Sequence, residues 1–279
     1  MKTKLRQVVV GDVHGELAGL QEILKHAALV DDQLNWNAGE AVLVQTGDVI
    51  DRGPCSVECI DLLRRLQSQA AVAGGEVVRL CGNHELMLLQ GNHRYVNFPN
   101  PELIREQLQE EILSDRAVAA HSDGERLYTH AGLRTSVRWE VEKGAPPSSR
   151  RSSLRVLARR LNGIFKKAVQ TGDLKSHPIF HVDRERGGSH EVGGIFWCDY
   201  SQISASEQAF DIPQIFGHTP TGRSRVMHCR GLKLIDIDAG MCRVYGGRRV
   251  YLEIIAGGRL IEHARRGSKW EQSALNEGS

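Results

Sequence analysis

Short apolar, β-branched runs closed by a glycine recur three times in the first third of the chain, at residues 7–10, 41–46 and 76–81. Runs of this length bounded by turn residues predict buried strands, ended by Gly11, Gly47 and Gly82. Between them the period changes. Leu17, Leu20, Leu24 and Ala27 follow helical spacing over residues 16–29, as do Val57, Ile60, Leu63 and Leu66 farther on. Pro54 is placed early in that second helix, where proline is favoured, and a third helix opens near His84. Repeated strand–loop–helix units predict a largely parallel sheet with right-handed crossovers. In such sheets ligands sit at the carboxyl ends of the strands.

The later pattern is less even. Residues 126–129 read as a fourth strand ending in His130-Ala131-Gly132. Residues 134–194 hold a Gly/Pro/Ser loop at 144–149 and a basic amphipathic helix over 152–170, and are expected to be an insertion bordering the site. Strands follow at 212–216, 232–237, 249–255 and 259–263. The expected organisation is one catalytic domain over 1–265 and a polar, frayed tail over 266–279. No repeat of fixed period is present.

Composition narrows the classes. Of 279 residues 41% are hydrophobic, ordinary for one sizeable core, and the net charge is only +2. That balance argues against a nucleic-acid or membrane partner. Arg150, Arg151, Arg155, Arg159, Arg160, Lys166 and Lys167 crowd one stretch and read as a solvated helix face. Cysteines at 55, 59, 81, 198, 229 and 242 form no CxxC pair, so a zinc knuckle is not expected. The apolar run after the basic residues 1–6 stops at Val10, too soon for a signal peptide. Free thiols in a reducing, cytoplasmic setting are the expectation.

The strand ends carry the chemistry. Gly11-Asp12-Val13-His14-Gly15, Gly47-Asp48-Val49-Ile50-Asp51-Arg52-Gly53 and Gly82-Asn83-His84-Glu85 each place oxygen or nitrogen donors where a strand should stop. Such donors suit hard and borderline divalent metals. In a two-metal centre Asp48 is the natural bridge, Asp12 and His14 hold one ion, and Asn83, His130 and His218 hold the other. Two dications, two carboxylates and a hydroxide leave about +1, which attracts a phosphate dianion. Metal coordination lowers a water's pKa to about 7 and so supplies the nucleophile. His84 is the candidate acid for the leaving oxygen, with Asp51 fixing its tautomer. Arg52 can clamp phosphate oxygens, and Asn83 also lies within reach of substrate. The mimic Gly91-Asn92-His93-Arg94 lacks a preceding strand and reads as a loop. His177, His181 and His190 read as surface residues of the insertion.

These motifs, in this order, resemble the calcineurin-like metallophosphoesterase superfamily, and within it the phosphoprotein phosphatase branch. Trp197-Cys198-Asp199-Tyr200, Phe216-Gly217-His218-Thr219-Pro220 and Ile237-Asp238-Ala239-Gly240-Met241 are similar to elements of bacterial-type members, especially the Shewanella-like phosphatases. The resemblance covers residues 5–265. It implies an α/β fold, a four-layer α/β/β/α sandwich with mixed sheets and the metals at one edge. It implies manganese or an iron/zinc-type pair, a bridging hydroxide, and hydrolysis of phosphate monoesters without a phosphoenzyme.

Two departures bear on substrate. Pro220 stands where diesterases of the superfamily carry a second histidine, which favours monoesters. The branch has a further phosphate-binding arginine before the last ligand histidine, and residues 200–217 contain none; Arg94, Arg184 and Arg186 are the candidate replacements. The expected substrate is a phosphorylated protein, on Ser/Thr or Tyr. A small phosphorylated substrate such as a dinucleoside polyphosphate is the alternative, disfavoured by an aromatic content of 5%. A non-catalytic scaffold would have lost ligands or the acid, and every one is present.

Overall fold

Val8, Val9 and Val10 are all fully buried, yet they face two different interiors. Val8 and Val10 pack with Leu20, Ile23 and Leu63 of two helices, whereas Val9 packs with Tyr128, Ile215 and Ile235 of a second sheet. Alternate side chains of a strand point to opposite faces, so a strand apolar on both faces must lie between two layers. The computed structural model describes residues 6–143, 153–204, 210–229 and 232–275.

In the first sheet β1 (Gln7–Val10), β2 (Val42–Gln45) and β3 (Glu76–Arg79) run parallel. Helices α1 (Leu17–His26) and α2 (Ser56–Val72) cover their outer face. Short helix α3 (Asn83–Leu89) and then α4 (Pro101–Leu113) follow β3. The second sheet holds β4 (Ala120–Ser122), β5 (Leu127–Thr129), β6 (Gln214–Phe216), β7 (Arg225–Cys229) and β8 (Leu232–Asp236), in the order β4-β5-β6-β8-β7. Between β5 and β6 lie α5 (Thr135–Glu142), α6 (Leu154–Thr171) and α7 (Tyr200–Ser204). Leu108 and Ile112 of α4, Val137 of α5 and Leu161 and Phe165 of α6 join Leu127 of β5 in the outer core. The layers are therefore α/β/β/α, as the resemblance implied.

The sheets are less parallel than the helical spacing predicts. β9 (Val250–Ile254) returns antiparallel beside β1, and β10 (Leu260–Arg266) and β11 (Lys269–Ala274) extend that edge as hairpins. Turns of a few residues can join only antiparallel strands. The frayed tail expected over 266–279 is corrected accordingly: residues 269–274 are strand, held by backbone pairing to β10. Pro54 is likewise outside its helix. Backbone N–H groups of Gly53 and Cys55 donate to His14 and Gly15 carbonyls, which holds the chain in a turn until Ser56. Asn162 of α6 caps the β4 edge, accepting from Ala119 and Ala120 N–H and donating to Ala120 O. The loop at 144–149 and Arg150 and Arg151 of the basic stretch lie outside the described residues. No helix among the described residues is long and apolar enough to cross a membrane.

A buried carboxylate shared by two arginines braces the wall behind the second motif. Arg79, at the end of β3, donates to Glu111 Oε2 at 2.8 Å, and Arg64 donates to Oε1 at 2.6 Å. Val49 and Ile50 share a small cavity of about 20 Å³ with these groups. Burial raises the Glu111 carboxyl, but the two arginines outweigh it and hold it below its ordinary 4.5. Its contribution is therefore full above pH 4.5 and is lost as pH falls through the depressed folded value. Glu111→Gln, which strips the charge from a buried arginine's partner, is expected to cost about 3 kcal/mol. Denaturant unfolding at pH 7 measures it, and the variant should lose the wild-type stability step below pH 4.5.

Candidate metal centre

Each parallel strand delivers its polar residues to one rim. Asp12 and His14 follow β1, Asp48 follows β2, Asn83 and His84 open α3 after β3, His130 follows β5 and His218 follows β6. The predicted ligands Asp12, His14, Asp48, Asn83, His130 and His218 are all brought together and buried. Donor atoms of His14, Asp48 and His84 lie within 4.8 Å of one another, and so do those of Asp48, His130 and His218. Asp48 belongs to both sets. His14 Nε2 and His130 Nε2 each stand 3.5 Å from Asp48 Oδ2, and Asp12 lies 4.0 Å from both histidines.

The tautomers follow from the backbone. His14 Nδ1 donates to Ile50 O at 3.0 Å and His130 Nδ1 donates to Thr46 O at 2.9 Å. Each Nε2 then presents a lone pair to the cluster. Burial pulls the His14 pKa down to about 4, against the pull of Asp48. His130 is lowered by burial too, and His218 is lowered strongly by burial and the Arg186 charge. Neutral imidazoles are the form that binds metal. Around Asn83 Oδ1, His130 Nε2 stands at 2.9 Å and His218 Nδ1 at 2.8 Å, and the two rings approach within 3.1 Å. Asp12 Oδ2 and His218 Nε2 are buried with no hydrogen-bond partner. Convergent nitrogen and oxygen donors, two of them without a partner, fit divalent cations. Asp12 and His14 on one side of Asp48, and Asn83, His130 and His218 on the other, fit a pair of them and leave His84 for another role.

The backbone is bent to make this possible. His14, Asp48, Asp51, Arg52 and His218 all have positive φ, between 47° and 78°. Left-handed conformations in non-glycine residues cost roughly 1–3 kcal/mol each and persist only where surroundings hold them. At Asp48 the holder is Glu85. Its carboxylate accepts from the N–H groups of Asp48, Val49 and Gly82 at 2.7–2.8 Å. Burial and the Asp48 charge push it up to about 7 while those N–H groups pull it down. No role for Glu85 follows from the motif reading, although a glutamate at the third position of a helix can accept from the N–H of the residue that opens it, as it does here from Gly82. Gly82 and Gly217 are close-approach positions: a Cβ on the first would collide with Asp48, and one on the second would come within 2.5 Å of Asp12 Oδ1.

The candidate acid has its predicted partner. His84 Nδ1 lies 2.6 Å from Asp51 Oδ2, and the His84 N–H donates to Asp48 Oδ1 at 2.9 Å. Burial lowers the His84 pKa, but the Asp48 and Asp51 charges and the Asp51 hydrogen bond outweigh it and raise the imidazole above its ordinary value. His84 lines a cleft of about 450 Å³ with His14, Asp48, Arg52, Asn83 and His218. Arg94 and Arg186 also line it, whereas Arg184 does not. Arg186 is fixed by Asp199, 2.7 Å from its Nε, and donates to Thr219 Oγ1 at 2.6 Å. Tyr95 and Tyr245 flank His84 and His14, with ring centroids 5.3 and 5.6 Å away. Neither tyrosine stands out in the sequence. His93 points instead to Glu102 at 3.3 Å, and His181 stacks on His190; neither pair reaches the cluster.

An uncharacterized protein of Schizosaccharomyces pombe is 29% identical over 274 residues, covering 88% of this chain and 76% of that one. Shewanella-like protein phosphatase 2 of Arabidopsis thaliana is 41% identical over 91 residues, 33% of this chain and 23% of that one. The symmetrical bis(5'-nucleosyl)-tetraphosphatase of Actinobacillus pleuropneumoniae is 30% identical over 141 residues, 48% of this chain and 46% of that one. The matched segments thus span under half of either named enzyme. The crystal structure of the cold-active protein-tyrosine phosphatase of a psychrophilic Shewanella species shares the fold, with TM-score 0.69 over 98% of this chain and 80% of that one, at 24% identity. A family model for calcineurin-like phosphoesterases matches residues 5–222, and with its motifs at one sheet edge the chain belongs to that family.

Proposed function

We propose that this chain is a metal-dependent phosphomonoesterase acting on phosphorylated serine, threonine or tyrosine of proteins. One observation carries the reading: buried acceptors from five strand ends converge on Asp48 beside a His84–Asp51 pair, at the floor of an arginine-lined cleft. Asp12, His14 and Asp48 would hold one divalent ion, and Asp48, Asn83, His130 and His218 the other. Bound there, the ions supply Lewis acidity toward phosphoryl oxygens and lower the pKa of water. Manganese is the metal we propose, in keeping with the mixed nitrogen and oxygen donors.

The chain's own groups do the rest. Arg52 and Arg186 each offer a planar fork of N–H donors to phosphate oxygens, and Asn83 stands beside them on the cleft floor. Asp51 occupies Nδ1 of His84, which leaves Nε2 to give a proton to the leaving oxygen. The Asp51 hydrogen bond and charge favour the protonated imidazole, the form a general acid needs. A reducing, cytoplasmic setting belongs to the same reading, and Cys55, Cys59, Cys81, Cys198 and Cys242 are free thiols. A second reading keeps the metals and changes the substrate to a dinucleoside polyphosphate. The similarity to a bis(5'-nucleosyl)-tetraphosphatase and the rings of Tyr95, Trp197 and Tyr245 along the cleft favour it.

Turnover of phosphoserine, phosphothreonine and phosphotyrosine peptides against diadenosine tetraphosphate, with added manganese, separates the two. Peptide hydrolysis is the expected result, and turnover of the dinucleotide alone would reverse the assignment. Chelation should abolish activity and manganese should restore it; activity surviving exhaustive chelation contradicts the reading. His84→Asn should keep its metal content while kcat falls about 10²- to 10⁴-fold, the usual worth of a general acid. Unchanged kcat would remove His84 from the chemistry.

A further inference from the structure

The loop between α3 and α4 brings a second arginine to the mouth of the cleft. The guanidinium of Arg52 lies 4.0 Å from the centroid of the Tyr95 ring, and that of Arg94 lies 5.3 Å from the same centroid. A ring face attracts one cation readily, but two on one ring repel each other. Neither arginine has a carboxylate within ion-pair distance among the described residues. Glu102, the acid nearest to Arg94 in the chain, is taken up by Arg105 at 2.5 Å and His93 at 3.3 Å. Asp48 is the one carboxylate among the described residues that line the cleft, and it lies buried at the floor.

The arrangement is built rather than draped. Asn97 Nδ2 donates to Gly53 O at 2.8 Å, tying this loop to the turn that carries Arg52. Within the loop, the Arg94 N–H donates to Asn92 Oδ1 at 3.1 Å. Tyr95 in turn leans on His84, the group placed beside the leaving oxygen. A charge held here sits on the leaving-group side of the scissile phosphate, where the rest of the substrate must emerge. The phosphatase reading gives Arg52 to that phosphate, which would leave Arg94 for a further anion.

Resting on the phosphatase reading, we propose that Arg94, shelved on Tyr95, is a specificity-determining residue that binds an acidic side chain next to the phosphorylated residue of a peptide substrate. Peptides with Asp or Glu beside the phosphoresidue should be preferred over neutral ones, through KM more than kcat. Exposed ion pairs are modest, so the expected ratio of kcat/KM is about two- to fivefold, shrinking as salt is raised. Paired phosphopeptides that differ only in that neighbour, assayed with wild-type protein, Arg94→Gln and Arg94→Lys, test it. Arg94→Gln should bring the acidic-to-neutral ratio close to one, and Arg94→Lys should restore part of it. Hydrolysis of p-nitrophenyl phosphate by the wild type reports separately that the centre works. If that substrate turns over while the two peptides are treated alike, the subsite is wrong and the phosphatase reading stands. Equal loss on both peptides in Arg94→Gln also overturns it. So does a loss confined to diadenosine tetraphosphate, which would assign the charge to a polyphosphate. Absence of any phosphomonoesterase activity sinks subsite and reading together.

Discussion

Six buried side chains aim lone pairs at one another around Asp48, and nothing in the protein itself donates back to all of them. Burial is the largest cause that lowers the three histidines, joined at His218 by the Arg186 charge, and with Asp238 and Asp48 it raises Asp12 well above its usual range. Buried polar atoms without partners are costly, and Asp12 Oδ2 and His218 Nε2 are two such atoms that cations would satisfy. The rest of the molecule holds that arrangement against its own repulsion. Positive φ at His14, Asp48, Asp51, Arg52 and His218 marks where the backbone is held. Glu85, by gathering three backbone N–H groups, is the fixture at the Asp48 turn.

The two-sheet design explains how distant residues meet. Parallel strands in each sheet end at the same rim, so one sheet supplies Asp12, His14, Asp48 and Asn83 and the other supplies His130 and His218. A core of β-branched residues between the sheets fixes their separation, and with it the spacing of the ligands. Fold stability and site geometry therefore share one cause. The Arg64–Glu111–Arg79 group behind Val49 and Ile50 extends the same logic outward.

Much of this was legible in the residues. The apolar runs before Gly11, Gly47 and Gly82 predicted strands because burial on both faces leaves no other composition open to them, and the polar words after them predicted the rim. The Asp51–His84 contact followed from their chemistry. β11 was hidden because residues 269–274 lie at an exposed edge, where backbone pairing needs no apolar alternation. β4 and β7 were missed as short segments without a clear period. Arg186 could be named as a candidate but not placed, since its position depends on Asp199 and Thr219, distant in the chain. Tyr95 left no trace at all: a lone tyrosine in a polar loop carries no pattern until its neighbours are known.

Metal stoichiometry tests the central claim most directly. Elemental mass spectrometry on folded wild-type protein dialysed against manganese should find close to two ions per chain, and Asp48→Asn, verified as folded by its near-ultraviolet dichroism, should lose both together because it removes the shared ligand. Binding of at most one ion by the wild type, or an undiminished pair in the folded variant, would contradict the account.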